Sequence, residues 1–129
     1  MSKVALVVDD SMLIRYSLCR YLEEQGFVVE AASNGAEALE IIGRGKPDLI
    51  VTDMRMPKMS GSELITALKG NPETAQIPIL VVTSKANGSC EADPRADFAI
   101  YKDIDVEVQL GAGIEAVLGN RGKGQASGQ

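Results

Sequence analysis

Residues 4–11 read Val4-Ala5-Leu6-Val7-Val8-Asp9-Asp10-Ser11. Five aliphatic, mostly β-branched residues in a row, with no polar alternation, describe a strand buried on both faces rather than one. Two carboxylates close that run, and Asp10 or Ser11 is placed to cap a helix. The helix runs to about Gln25, with Ile14, Leu18 and Leu22 as an apolar stripe and Gly26 as its stop.

The same alternation repeats outward from this unit. Phe27–Ala32 reads as a second strand. Asn34, with Glu37 three residues on, resembles a capping box that opens a helix through Ala38, Leu39, Ile41 and Ile42, ended by Gly43 and Gly45. Leu49–Thr52 is a third strand. Ser60 and Glu63 form another capping box before Leu64, Ile65 and Leu68, and Gly70-Asn71-Pro72 stops that helix. Ile79–Val82 and Phe98–Tyr101 are the fourth and fifth strands. A last helix covers roughly Asp105–Leu118, with Val106, Leu110, Ile114 and Val117 on one face, and with Gly111 and Gly113 each weakening it by about 1 kcal/mol. Strands alternating with helices through short loops imply a parallel sheet with helices on both faces. One stretch breaks the rhythm. Ser84–Ala96 contains Asn87-Gly88 and Asp93-Pro94, lacks apolar spacing, and predicts a loop with at most one or two helical turns. Gly119–Gln129 is glycine-rich and polar and predicts a disordered tail.

The bulk composition removes several classes of function. A length of 129 residues suits one domain with a core that needs no disulfide or structural metal. A net charge of −5 lacks the basic footprint of a nucleic-acid-binding surface. Cys19 and Cys90 make no disulfide framework, no secretory signal is visible, and no apolar run approaches the roughly 20 residues that cross a bilayer. The reading is a cytoplasmic protein with reduced thiols. The chain has no histidine, which excludes a Ser-His-Asp triad, a Cys-His pair and a histidine-ligated zinc site.

What remains is an acidic pocket. In an open parallel sheet, ligands bind beyond the carboxyl ends of the strands. Asp9 and Asp10 follow the first strand, Asp53 the third, Thr83 the fourth and Lys102 the fifth. Three carboxylates at close quarters call for a cation, and hard oxygen donors in small number suit Mg²⁺. A lysine and a hydroxyl facing the same place are groups that hold a phosphoryl oxygen. Together they describe phosphoryl transfer onto an aspartate.

These residues give the sequence a specific resemblance to the receiver domain of two-component response regulators. The matching marks are Asp9-Asp10, Asp53, Met56-Pro57 and Gly61 after it, Thr83-Ser84, and Lys102, and the resemblance spans Lys3 to about Leu118. It implies a flavodoxin-like, doubly wound five-stranded sheet of order 2-1-3-4-5, here with the fourth helix short or missing. It implies Asp53 as phosphoacceptor. Asp10 and Asp53 would hold Mg²⁺ directly, Asp9 largely through water, and Arg55 through its backbone carbonyl. Thr83 would hydrogen-bond the phosphoryl group and Lys102 would pair with it. The donor would be a phosphohistidine on a histidine kinase or a histidine phosphotransfer protein. The domain is expected over residues 1–118 with a tail at 119–129, standing alone without direct DNA or membrane binding. It would signal by partner binding or phosphorelay, as a phosphoacceptor rather than an enzyme.

The departures from the family pattern lie near the fifth strand. Asp103 stands where the family usually has proline after its lysine. Ala99 stands where a switch aromatic usually lies, with Phe98 and Tyr101 nearby. In receiver domains the residues two beyond the phosphoacceptor and two beyond the threonine flank the approach of water to the aspartyl phosphate; the resemblance puts Arg55 and Lys85 there, and they are expected to slow its hydrolysis. A dehalogenase-like phosphatase also uses a nucleophilic aspartate with Mg²⁺, but it needs a second acid two residues on, where Arg55 stands. A degenerate scaffold that binds partners without phosphorylation is a third reading; the intact pocket argues against it and the broken fourth helical region argues for it.

Overall fold

The computed structural model describes residues 3–83, 93–102 and 105–119. The elements run β1 (Val4–Val8), α1 (Met12–Glu24), β2 (Val28–Ala32), α2 (Gly35–Arg44), β3 (Leu49–Asp53), α3 (Gly61–Lys69), β4 (Ile79–Thr83), β5 (Phe98–Tyr101) and α4 (Val106–Ile114), with a π-helical turn at Glu115–Gly119. All strand pairings are parallel, and the order is β2-β1-β3-β4-β5. The resemblance implied this order.

Burial follows from it. β3 and β4 are buried at every position and β1 at four of five, because helices cover both faces of the sheet centre. The edge strands β2 and β5 are only partly covered. Alternate residues feed two aliphatic cores. Leu6, Val8, Ile50 and Val81 pack with Ala38 and Ile42 of α2 and Leu64, Ile65 and Leu68 of α3. Ala5, Val7, Val51 and Val82 pack with Leu18 and Leu22 of α1 and Leu110 of α4 on the opposite face.

Local signals set the helix ends, with small corrections. The Ser11 Oγ accepts from the Ile14 N–H at 3.3 Å, so Ser11 rather than Asp10 caps α1. The Ser60–Glu63 capping box is present in both directions. The one at α2 is shifted: Asn34 accepts from the Glu37 N–H, while the Glu37 carboxylate returns to the N–H and hydroxyl of Ser33. α2 continues through Gly43 and ends at Gly45.

Among the described residues there are four α-helices, which corrects part of the expectation of a short or missing fourth helix: the fourth in chain order, α4, is there and follows β5. The connection from β4 to β5, where the stunted helix was expected, lies at residues 84–92 outside the described residues, as do Lys85 and the tail from residue 120. Its described remainder is turn and bend over 94–97. The glycines of α4 also read differently once packed. A Cβ on Gly113 would lie 2.8 Å from the Phe98 ring, and one on Gly111 2.6 Å from the Tyr21 hydroxyl. They cost helix propensity but let α4 approach β5 and α1.

Candidate functional site

Each polar group at the carboxyl edge of the sheet is delivered by a rigid strand. Asp9 and Asp10 follow β1, Asp53 and Thr83 are the last residues of β3 and β4, and Lys102 follows β5. The register aligns Thr83 with Tyr101, and the Lys102 N–H donates to the Thr83 carbonyl at 2.8 Å. Asp9, Asp53 and Thr83 are buried, and Asp10 is exposed at the rim. Asp9, Asp10 and Asp53 each offer a carboxylate oxygen, all within 4.8 Å of one another. The Lys102 Nζ stands 3.2 Å from the Asp53 Oδ2. The sequence-derived set Asp9, Asp10, Asp53, Thr83 and Lys102 thus lies along one edge, with its three acids and its lysine converging.

The hydrogen bonding is lopsided. The Asp9 Oδ1 accepts from the Ser11 N–H at 2.8 Å, while its Oδ2 is buried with no hydrogen-bond partner. Such an atom normally finds a partner, so its orphaned state is a demand for a cation or a donor. Burial, opposed by the Ser11 N–H and reinforced by the Asp53 charge, pushes the Asp9 carboxyl up to about 6. Burial also raises Asp53, against the pull of Lys102 and of the Met54 and Arg55 amides. The Met54 N–H donates to the Asp53 Oδ1 at 2.8 Å, which leaves Oδ2 facing the lysine. An all-oxygen acidic set with an unpartnered buried oxygen fits a hard divalent cation such as Mg²⁺. Among the described residues it is the only cluster of three metal-ligating side chains of this kind.

The loop after Asp53 is shaped to return the chain beneath it. The Met59 N–H donates to the Pro57 carbonyl at 2.7 Å, a γ-turn that puts Lys58 at φ 68°. The Gly61 N–H then donates to the Met54 carbonyl at 2.9 Å, and a Cβ on Gly61 would stand 2.9 Å from the Met54 Cα and press on the Asp53 carbonyl. This close approach is why Gly61 starts α3. Arg55, two residues beyond Asp53, is exposed. Ala99 packs toward the α2–α3 core, and Phe98 toward the opposite one.

Sequence reasoning missed Arg15, whose guanidinium donates to the Asp9 carbonyl at 2.6 Å. Its position four residues after Ser11 turns it back toward the strand end, which is a usable signal.

The sequence matches the response regulator receiver domain over residues 5–108. The chain belongs to this family. Its members accept a phosphoryl group on an aspartate in two-component signalling. Among curated relatives it is 42% identical over 121 residues to the response regulator MprA of Mycobacterium tuberculosis, covering 92% of this chain and 51% of that protein. It thus spans about half the length of the relatives it matches. Among solved structures it superposes on the chemotaxis response regulator CheY4 of Vibrio cholerae with a TM-score of 0.80 at 30% identity, covering 92% of this chain and 100% of that one. It also resembles the signal receiver domain of a signal transduction histidine kinase from Syntrophus aciditrophicus, with a TM-score of 0.77 at 31% identity and 92% coverage of both chains.

Proposed function

We propose that this receiver domain, residues 1–118, takes a phosphoryl group on Asp53 from a phosphohistidine partner and changes its affinity for a downstream protein as a result. The observation that carries this reading is the Lys102 ammonium 3.2 Å from the Asp53 Oδ2, at the rim of a three-carboxylate cluster. An Asp53 oxygen attacks the phosphorus. The P–N bond to the donor imidazole breaks, and its electron pair stays on the ring nitrogen. Lys102 then exchanges its carboxylate partner for a phosphoryl oxygen, a charge-assisted contact that persists in the product. The Thr83 hydroxyl, at the end of the neighbouring strand, donates to another. Mg²⁺, when bound, offsets the negative charge of the carboxylates and the incoming phosphoryl group. Asp10 and Asp53 would hold it directly, with the Arg55 backbone carbonyl, and Asp9 largely through water.

The domain acts as a phosphoacceptor and catalyses at most its own phosphorylation and dephosphorylation. Its partners are a histidine kinase or a histidine phosphotransfer protein, then a downstream protein or a further relay. Met12, Leu13 and Tyr16, exposed on the first turns of α1 next to the acidic pair, give such a partner an apolar footing beside Asp53. A net charge of −5 argues against direct DNA binding, and no helix among the described residues is long and apolar enough to cross a membrane. The reading places the domain in the cytoplasm. Incubation with acetyl phosphate and Mg²⁺ tests it. The wild type should gain one phosphoryl group and Asp53→Asn none, and equal labelling of the two would defeat the assignment.

A further inference from the structure

We propose that Gln109 is a positioning residue for Lys102, acting through the backbone of Tyr101. The inference rests on the reading of Asp53 and Lys102 given above.

In a parallel strand, successive residues point their N–H and C=O groups to opposite sides. The Lys102 N–H turns inward to the Thr83 carbonyl at 2.8 Å. Tyr101, one residue earlier, therefore turns its N–H and C=O outward, where β5 has no neighbouring strand among the described residues. Gln109 supplies what that strand would have supplied. Its Oε1 accepts from the Tyr101 N–H at 2.9 Å, and its Nε2 donates to the Tyr101 carbonyl at 2.8 Å. A side-chain amide carries one acceptor and one donor side by side, so it copies a peptide group, which a carboxylate or an ammonium cannot do. The same Nε2 also lies 3.3 Å from the Asp105 carbonyl. One side chain thus ties together the last residue of β5 and the N-cap of α4.

This matters because Lys102 is a poor self-positioner. Its ammonium sits on a flexible four-carbon stem. Its direction is set by the backbone from which it springs, and that backbone leaves the sheet at Lys102. Asp103 follows in the sequence, where proline would otherwise fix the backbone φ. Holding Tyr101 on its outer side, as Thr83 holds Lys102 on the inner side, fixes the origin of the lysine stem. A displacement of about 1 Å at such a point is enough to cost up to a hundredfold in rate, so a partial loss of about tenfold is expected.

The test uses the full chain with acetyl phosphate as donor and saturating Mg²⁺, and reads the initial rate of Asp53 phosphorylation. Gln109→Met keeps length and helix propensity but loses the amide. It should phosphorylate about tenfold more slowly than wild type. Gln109→Glu keeps an acceptor for the Tyr101 N–H but loses both donated bonds, and should fall between the two. In a Lys102→Ala background, Gln109→Met should change the rate by less than about twofold, because the group it positions is gone. A rate for Gln109→Met within about twofold of wild type would overturn the proposal, as would an undiminished effect in the Lys102→Ala background, which would mark general damage to the fold. A second arm needs no phosphorylation. The ¹³Cε resonance of Lys102 should respond to Asp53→Asn through the ion pair, and Gln109→Met should shrink that response. A full response in Gln109→Met would refute the positioning role even if the wild type took no phosphoryl group, an outcome that would separately refute the function proposed for Asp53.

Discussion

Replacing Asp9 by asparagine should stabilise the metal-free protein at neutral pH while weakening its hold on Mg²⁺. The Asp9 carboxyl is raised from 3.8 to about 6 by burial and by the nearby Asp53 charge. Below pH 3.8 it is protonated in both folded and unfolded chains and costs nothing. As the pH rises toward 6 the unfolded chain ionises first, and folding becomes progressively less favourable. Above 6 the folded protein carries a buried carboxylate whose Oδ2 has no partner. Roughly two pKa units at 1.36 kcal/mol each put the cost at about 3 kcal/mol by pH 7. Asparagine keeps the oxygen that accepts from the Ser11 N–H, and it sets an amide donor near Asp53 in place of the orphaned oxygen. Urea denaturation in EDTA from pH 4 to 8 measures the effect. Asp9→Asn should match wild type near pH 4 and exceed it by up to about 3 kcal/mol at pH 7. With Mg²⁺ the difference should shrink or reverse, because the cation compensates the charge that asparagine removes. A variant equal to or weaker than wild type at pH 7 in EDTA, or a difference independent of pH, would refute the electrostatic account of this pocket.

Three further outcomes are expected. Gly61→Ala should cost about 1–3 kcal/mol in urea denaturation, because its Cβ meets Met54 and Asp53 backbone that cannot rotate away; an unchanged midpoint would show that α3 shifts freely. Asp10→Asn should weaken Mg²⁺ binding more than Asp9→Asn in a direct titration, and equal losses would show that both acids ligate alike. Asp93→Asn should lower the melting temperature at pH 7, because the Asp93 carboxylate accepts from Arg95 at 3.0 and 2.7 Å and from the Ser62 hydroxyl at 3.0 Å, tying the start of the β5 approach to α3. Arg95 holds that carboxyl well below the usual range, so its contribution is present above about pH 4 and lost only in strong acid; an unchanged melting temperature at pH 7 would mark the cluster as solvated surface.

The parts of this structure legible in the sequence are those with a local period. The unbroken apolar runs at Val4–Val8, Leu49–Val51 and Ile79–Val82 mark strands with helices on both faces, and the structure buries them that way. Ser11, Asn34 and Ser60 mark helix starts because a cap acts over three residues. The position of Asp9, Asp53, Thr83 and Lys102 at strand ends was readable for the same reason. Contacts set by packing across the chain were not. Gly111 and Gly113 count against α4 by propensity alone, and only the approach of Tyr21 and Phe98 explains them. Ser62 and Asp93 are 31 residues apart, and no spacing rule joins them. Gln109 reads as an ordinary helical residue until the open edge of β5 is in view. The Glu37 cap slid by one residue because the Ser33 N–H and hydroxyl together outbid the single Asn34 N–H.

The central claim is that Asp53, rather than Asp9 or Asp10 beside it, carries the phosphoryl group. Borohydride reduces an aspartyl phosphate to homoserine, which marks the modified position permanently. Wild-type protein treated with acetyl phosphate and Mg²⁺, then borohydride, should yield homoserine at residue 53 on peptide mapping and unmodified aspartate at residues 9 and 10. Homoserine at residue 9 or 10, or none at residue 53 under conditions that add a phosphoryl group to the intact chain, would contradict the account.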